Sequence, residues 1–359
     1  MFPMAGKAKA AAYSLKKRDT SQLVAELAKV LRVYGPVAHD SHFRFEPLED
    51  ASQLRLDYTS TILPPKKYFI PPVQETLTFT LSPKLETREP TPEKATPSWQ
   101  GKSFLLFGVH SCDLAGISFN DLMYTLLYQD PFPLRRRNEA VIVGLYCLTP
   151  CPDSFCRSMG SLNWTQSADL MLMDLGDEYY VQVLSDVGQR VVDLAKKFFV
   201  PGTDAQAVKT KKMLREREQQ FPDPIKESDK LPAQLDAHYE GPMWERIGKR
   251  CLGCGNCTMA CPTCFCFDVN DRVDLSLTKG ARLRSWDSCQ LADFALVAGG
   301  QNFRPTIPSR LRFRIYHKFR VEPEQVKQIG CVGCGRCTRY CPADIDMIEL
   351  LTDIQKGGN

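Results

Sequence analysis

The chain has 359 residues, 43% of them hydrophobic, with 46 Lys and Arg against 42 Asp and Glu for a formal net charge of +4. That is the composition of an ordinary folded protein, long enough for two or three domains with sizeable cores. No run of about 18 apolar residues is available to span a bilayer, and Met1 to Tyr13 lacks the apolar centre of a secretory signal, so a cytoplasmic protein is expected.

Residues 1–20 are basic and rich in small side chains, which predicts a flexible N-terminus unless a partner ties it down. From Ser21 to Tyr34, Leu23, Val24, Leu27, Val30 and Leu31 recur at helical spacing. Phe43–Phe45, Tyr68–Ile70 and Leu77–Leu81 read as strands. Glu86–Gln100, interrupted by Pro90, Pro92 and Pro97, reads as an exposed loop. Apolar strands at Ser103–Val109 and Ala140–Tyr146 flank a helix at about Leu114–Leu127, forming a β-α-β unit whose strands should be parallel. A hairpin follows at Leu170–Asp174 and Tyr179–Leu184, then a helix at Gly188–Phe199 and a charged, solvated helix at Ala205–Gln220. Pro222–Pro242 reads as a linker.

Beyond it lie the most informative residues. C-x2-C-x2-C-x3-C-P occurs twice, from Cys251 to Pro262 and from Cys331 to Pro342. Three cysteines two residues apart wrap one corner of a [4Fe-4S] cube, and in two-cluster ferredoxins the runs exchange the fourth ligand. On that pattern Cys251, Cys254, Cys257 and Cys341 hold one cluster, and Cys331, Cys334, Cys337 and Cys261 hold the other. Gly253, Gly255, Gly333 and Gly335 suit a loop that must approach a cube closely. Structural zinc, usually held by separated C-x2-C pairs, fits three cysteines within seven residues poorly. Disulfides are disfavoured in a reducing compartment.

Seven cysteines remain. Cys112 and Cys147 follow the two parallel strands, and Cys151 and Cys156 lie in the next loop, so four thiols should meet at the carboxyl edge of the sheet beside His110 and Asp113. A third cluster and small buried hydrophobes are both open readings; His110 reads as a structural residue. Cys264, Cys266 and Cys289 supply three thiolates without an obvious fourth, either for a cluster with one open iron or as buried thiols. The basic stretch Arg304–Arg320 reads first as a solvated face, then as a docking surface for an acidic partner, and last as a nucleic-acid contact. Two oxidised clusters, each about −2 with its thiolates, would bring the formal charge close to zero. Neither G-x-G-x-x-G nor G-x-x-x-x-G-K-[ST] occurs in a nucleotide-binding context.

Ile62–Phe69 (ILPPKKYF), Gly108–Leu114 (GVHSCDL), Cys261–Cys266 (CPTCFC), Trp286–Cys289 (WDSC) and Gly330–Cys337 (GCVGCGRC) resemble the iron-sulfur beta subunits of cytoplasmic NiFe sulfhydrogenases and the related A subunit of anaerobic sulfite reductase. Members of that family often carry T-C-F-C where this chain has Asp153, Ser154, Phe155 and Cys156. The resemblance implies an electron relay between a flavin- and NAD(P)-binding subunit and a catalytic redox subunit, with no nucleic-acid partner. The expected fold is an α/β N-terminal domain (21–221; a mixed sheet with a β-α-β unit), a linker (222–242) and a C-terminal α-helical two-cluster ferredoxin-like domain (243–359) with an insertion at about 263–329. No catalytic acid, base or nucleophile is required of an electron-transfer subunit. The alternative is an iron-sulfur enzyme with substrate at an open cluster iron.

Overall fold

A computed structural model describes residues 11–81, 84–89, 99–126 and 129–357. The strands are β1 (Ala12–Lys16), β2 (Arg32–His39), β3 (His42–Pro47), β4 (Val73–Thr80), β5 (Glu86–Arg88), β6 (Phe104–His110), β7 (Ala140–Leu145), β8 (Leu170–Asp174), β9 (Glu178–Val183), β10 (Phe199–Pro201), β11 (Phe267–Val273) and β12 (Lys279–Trp286). Among the described residues they form an eight-stranded sheet, ordered β10-β1-β9-β8-β7-β6-β2-β3, and a four-stranded sheet, ordered β11-β12-β4-β5.

The centre of the large sheet follows from its apolar runs. β6 (FLLFGVH) and β7 (AVIVGL) are buried at every position, as strands covered on both faces must be. They pair in parallel, and the crossover between them carries two helices, α2 (Ser111–Leu126) and α3 (Pro131–Glu139), where one was expected; α1 (Thr20–Leu27) comes earlier, between β1 and β2. The expected hairpin is β8–β9, paired antiparallel, and β8 joins β7 in parallel, so the sheet is mixed. Two helices then follow, α4 (Asp186–Leu194) and α5 (Asp204–Glu218).

Several local expectations are corrected. The first helix stops at Leu27, because Arg32–His39 is claimed by β2, which pairs with β3 and β6. Tyr68 ends a 3-10 turn opened by Pro64 and Pro65 rather than a strand, and its hydroxyl donates to the Phe45 carbonyl at 2.7 Å. Residues 12–16, expected to be flexible, form β1 between β9 and β10; residues 1–10 lie outside the described residues. Glu86–Arg88 is a strand rather than loop, and residues 90–98 of the expected loop lie outside the described residues.

The segment 222–242 is built into the C-terminal core. Ile225, Leu231 and Leu235 are buried there with Trp244, Leu311, Phe319 and Leu351. Nor is the insertion at 263–329 an independent excursion, because its hairpin β11–β12 is completed by β4 from the N-terminal half. The C-terminal region is helical, with α6 (Leu231–Ala237), α7 (Met243–Gly248), α8 (Asn256–Met259), α9 (Ile307–Tyr316), α10 (Glu322–Val326), α11 (Arg336–Arg339) and α12 (Met347–Gln355). A π-turn at His317–Val321 joins α9 to α10.

The two halves meet where α2 lies on the end of the first cysteine run. A Cβ on Gly116 would stand 2.6 Å from that of Pro262, and one turn further on Asn120 Nδ2 donates to the Pro262 carbonyl at 2.9 Å. Gly116→Val is therefore expected to overpack this contact, costing about 1–3 kcal/mol. A lowered thermal midpoint of the anaerobically purified chain checks it, and an unchanged midpoint refutes it.

Candidate iron-sulfur centres

The two cysteine runs fold as copies of each other. Gly253 and Gly255 have φ of 62° and 79°, and Gly333 and Gly335 have 64° and 75°; each second glycine opens a one-turn helix, α8 or α11. In both runs an amide two residues on faces the first sulfur: Gly253 N–H lies 3.4 Å from Cys251 Sγ, and Gly333 N–H lies 3.4 Å from Cys331 Sγ. Ile345 N–H approaches Cys341 Sγ at the same distance.

Each run contributes to a cavity completed by the other. One is lined by Cys251, Cys254, Cys257 and Cys341; the other by Cys261, Cys331, Cys334 and Cys337. Cys337 and Arg314 border both cavities. These linings suit two cubes: at least four thiols at each cavity with Cys337 shared between them, amides aimed at sulfur, and little else able to ligate. Burial pushes the Cys257 and Cys334 thiols up to about 12, so only a metal would hold them as thiolates near neutral pH. Among the described residues no three His, Cys, Asp or Glu side chains are grouped to bind a single metal ion. The corners of a cube hold their thiolates further apart than one ion does.

The surroundings differ. Cys254 is exposed and Leu252 is 65% exposed, so the first cavity opens on the surface. The second is enclosed by the 153–161 loop: Phe155 N–H donates to Gly333 O at 2.8 Å, and Ser161 Oγ donates to Val332 O at 2.6 Å. A side chain on Gly333 would stand 2.5 Å from the Phe155 carbonyl, so glycine is needed there for space as well as for its positive φ.

Between Cys334 and Cys337 lies Arg336, whose guanidinium grips Asp113 at 2.6 and 2.8 Å and also donates to Thr61 O at 2.8 Å. Both members of the pair have side chains only 1% exposed. Arg310, Arg314 and Lys318, four residues apart, are buried along one side of the α9 segment. Burial alone would lower the Arg314 guanidinium, but the charges of Cys257 and Cys337 hold its pKa well above the ordinary range. The expectation of a solvated basic face is thus corrected: only the alternate positions, such as Arg312 with Glu240 and Arg320 with Asp236, face outward. The i, i+4, i+8 spacing was the available signal.

The remaining cysteines fall into two groups. Cys264 lies beside Cys261, and Cys266 beside Cys289. Near them are the buried ammoniums of Lys66, which donates to Cys264 O at 2.6 Å, and Lys318, which donates to Thr263 and Gly330. Cys112, Cys147, Cys151 and Cys156 meet at the carboxyl edge of β6 and β7. His110 is stacked on Tyr58 with centroids 4.0 Å apart, and burial lowers its pKa to about 4. It is a neutral packing residue.

Removing Asp113 would strand the Arg336 guanidinium. Asp113→Ala should cost about 3–5 kcal/mol, and Asp113→Asn less because it keeps an acceptor. Thermal midpoints of the two variants in that order check it; equal and negligible shifts refute it.

A family model described as a 4Fe-4S dicluster domain matches residues 250–345, which carry both runs. The chain thus carries a dicluster domain for two [4Fe-4S] clusters. Over 331 residues the chain is 39% identical to a protein of Pyrococcus furiosus named sulfhydrogenase 2 subunit beta, covering 92% of this chain and 94% of the relative. With that identity along nearly the whole length of both proteins, the chain belongs to the family of sulfhydrogenase beta subunits.

Proposed function

We propose that the chain is the electron-transfer subunit of a soluble, cytoplasmic oxidoreductase complex, carrying single electrons between a flavin- and NAD(P)-binding subunit and a catalytic redox subunit. Its two-cluster region is ferredoxin-like, with Cys251, Cys254, Cys257 and Cys341 as ligands of one cluster and Cys331, Cys334, Cys337 and Cys261 as ligands of the other. The observation that carries this reading is the pair of adjacent cavities, each lined by three thiols of one run and reached by thiols of the other, Cys341 and the shared Cys337 at the first and Cys261 at the second. The relative named as a subunit beta supports a multi-subunit setting. No helix among the described residues is long and apolar enough to cross a membrane.

When bound, each cluster supplies a one-electron carrier without proton transfer. The protein's own part is to set the electrostatics around it. The amides of Gly253, Gly333 and Ile345 stabilise sulfur charge, and Arg314 places a positive charge beside both cavities. The exposed edge at Leu252 and Cys254 leaves the first site within reach of a partner's redox centre.

The exchanged ligands are tested by paired variants followed by electron paramagnetic resonance of the reduced chain. Cys257→Ser and Cys341→Ser should alter one signal, and Cys261→Ser and Cys337→Ser the other; pairing within each run instead would overturn the assignment. Arg314→Met should make both clusters harder to reduce, lowering their potentials by on the order of tens of millivolts, since a buried charge close to each is removed. Redox titration of the full chain measures this, and unchanged potentials would exclude the role given to Arg314.

A further inference from the structure

We infer that Cys112, Cys147, Cys151 and Cys156 hold a third [4Fe-4S] cluster, lodged between the carboxyl edge of the large sheet and the second cavity of the dicluster region. Its role as a further step of the relay rests on the proposed function; the ligation does not.

The thiols come from three separate pieces of chain. Cys112 is in the first turn of α2 just after β6, Cys147 follows β7, and Cys151 and Cys156 come from the loop beyond. Since β6 and β7 are neighbouring parallel strands, both deliver their cysteines to one edge. Cys147 packs with Cys156 beside Leu162 and Phe221. Cys112 is near enough to Cys147, and to Cys334 of the second cavity, to feel their charge, and Cys147 is near enough to Cys151 and Cys156. Four ligands, the complement of a cube, are present without borrowing from either run.

Ser154 turns its hydroxyl back to the Cys151 carbonyl at 2.7 Å, and the partly exposed Cys151 thiol donates to Thr59 O at 3.0 Å.

The charges around the set point to an anion. Arg217 is only 3% exposed, yet its guanidinium donates to neutral acceptors alone, the carbonyls of Cys147 and Leu162 and the side chain of Asn163, and its Nε has no partner. Among the described residues the only carboxylate acting on it is that of Glu218, which makes no hydrogen bond to it, and a buried guanidinium so weakly paired is unfavourable unless another negative group offsets it. Arg336 and Arg339 also act on Cys151, and the carboxylates beside them, Asp113 and Asp153, are paired with those two arginines. A site with thiolates and a net negative core would neutralise the charge left on Arg217. Protonated thiols would not.

The test is iron, acid-labile sulfide and zinc per full-length chain after strictly anaerobic purification, with spin integration of the dithionite-reduced protein. About 12 iron and 12 sulfide are expected for the unaltered chain, falling to about 8 of each in Cys147→Ser and in Cys151→Ser while the two dicluster signals persist; Cys266→Ser should remain at about 12. About 8 iron in the unaltered chain overturns the proposal, as does a Cys147→Ser variant that keeps 12, iron lost from Cys266→Ser instead, or one zinc beside 8 iron. Should the serine variants fail to fold, the count and spin integration on the unaltered chain still decide whether a third cluster exists. The dicluster assignment fails separately, through the variants within the two runs.

Discussion

The bidentate contact between Arg336 and Asp113 is the constraint on which the rest of the arrangement hangs. It joins the second cysteine run to the start of α2, and through Thr61 to the segment before β4, with both charges out of water. Such a pair adds little net stability over well-packed apolar residues, but losing either partner is costly. Its value is therefore geometric. A planar guanidinium gripping a carboxylate in two parallel bonds fixes direction as well as distance. The loop around Gly333 is consequently seated against Phe155 in one way, and the metal-binding half cannot swing away from the α/β half without exposing a buried charge.

That coupling gives the basic residues their meaning. A formal charge of +4 suggests an outward-facing cationic surface, yet Arg310, Arg314, Arg336 and Lys318 are buried, the last three beside cysteines. Cations this deep are unfavourable beside neutral thiols and favourable beside metal-bound thiolates, so the helical core and the clusters stabilise one another. Folding of the C-terminal region and cofactor insertion are then linked processes, as in other metal-dependent folds.

What was legible in the sequence had a short-range cause. The cysteine spacing is dictated by the cube, and the runs at β6 and β7 by burial on both faces, so each signal sits within a dozen residues. What was not legible depended on distant partners. Ala12–Lys16 is too short to show a period, and becomes a strand because Tyr179–Val183 and Phe199–Pro201 flank it. The hairpin β11–β12 gave no sign that β4, some 200 residues earlier in the chain, would complete its sheet. The buried cations were visible as a four-residue repeat, but charge alone argued for solvent, and only the anionic neighbours reverse that preference.

The two runs are close conformational copies, with matching glycine dihedrals and the same 3.4 Å amide-to-sulfur contacts. Backbone geometry cannot then be what distinguishes the sites they build. The differences lie outside the runs: one cavity opens to solvent beside Leu252, whereas the other is closed by Phe155, with Lys318 at its wall. Solvent stabilises the more reduced, more negative state of an exposed site through hydration, and a buried cation does the same for an enclosed one. A duplicated motif can thus carry two distinct potentials without any change in its ligands, because the insertion and the α/β half supply the asymmetry that the repeat lacks.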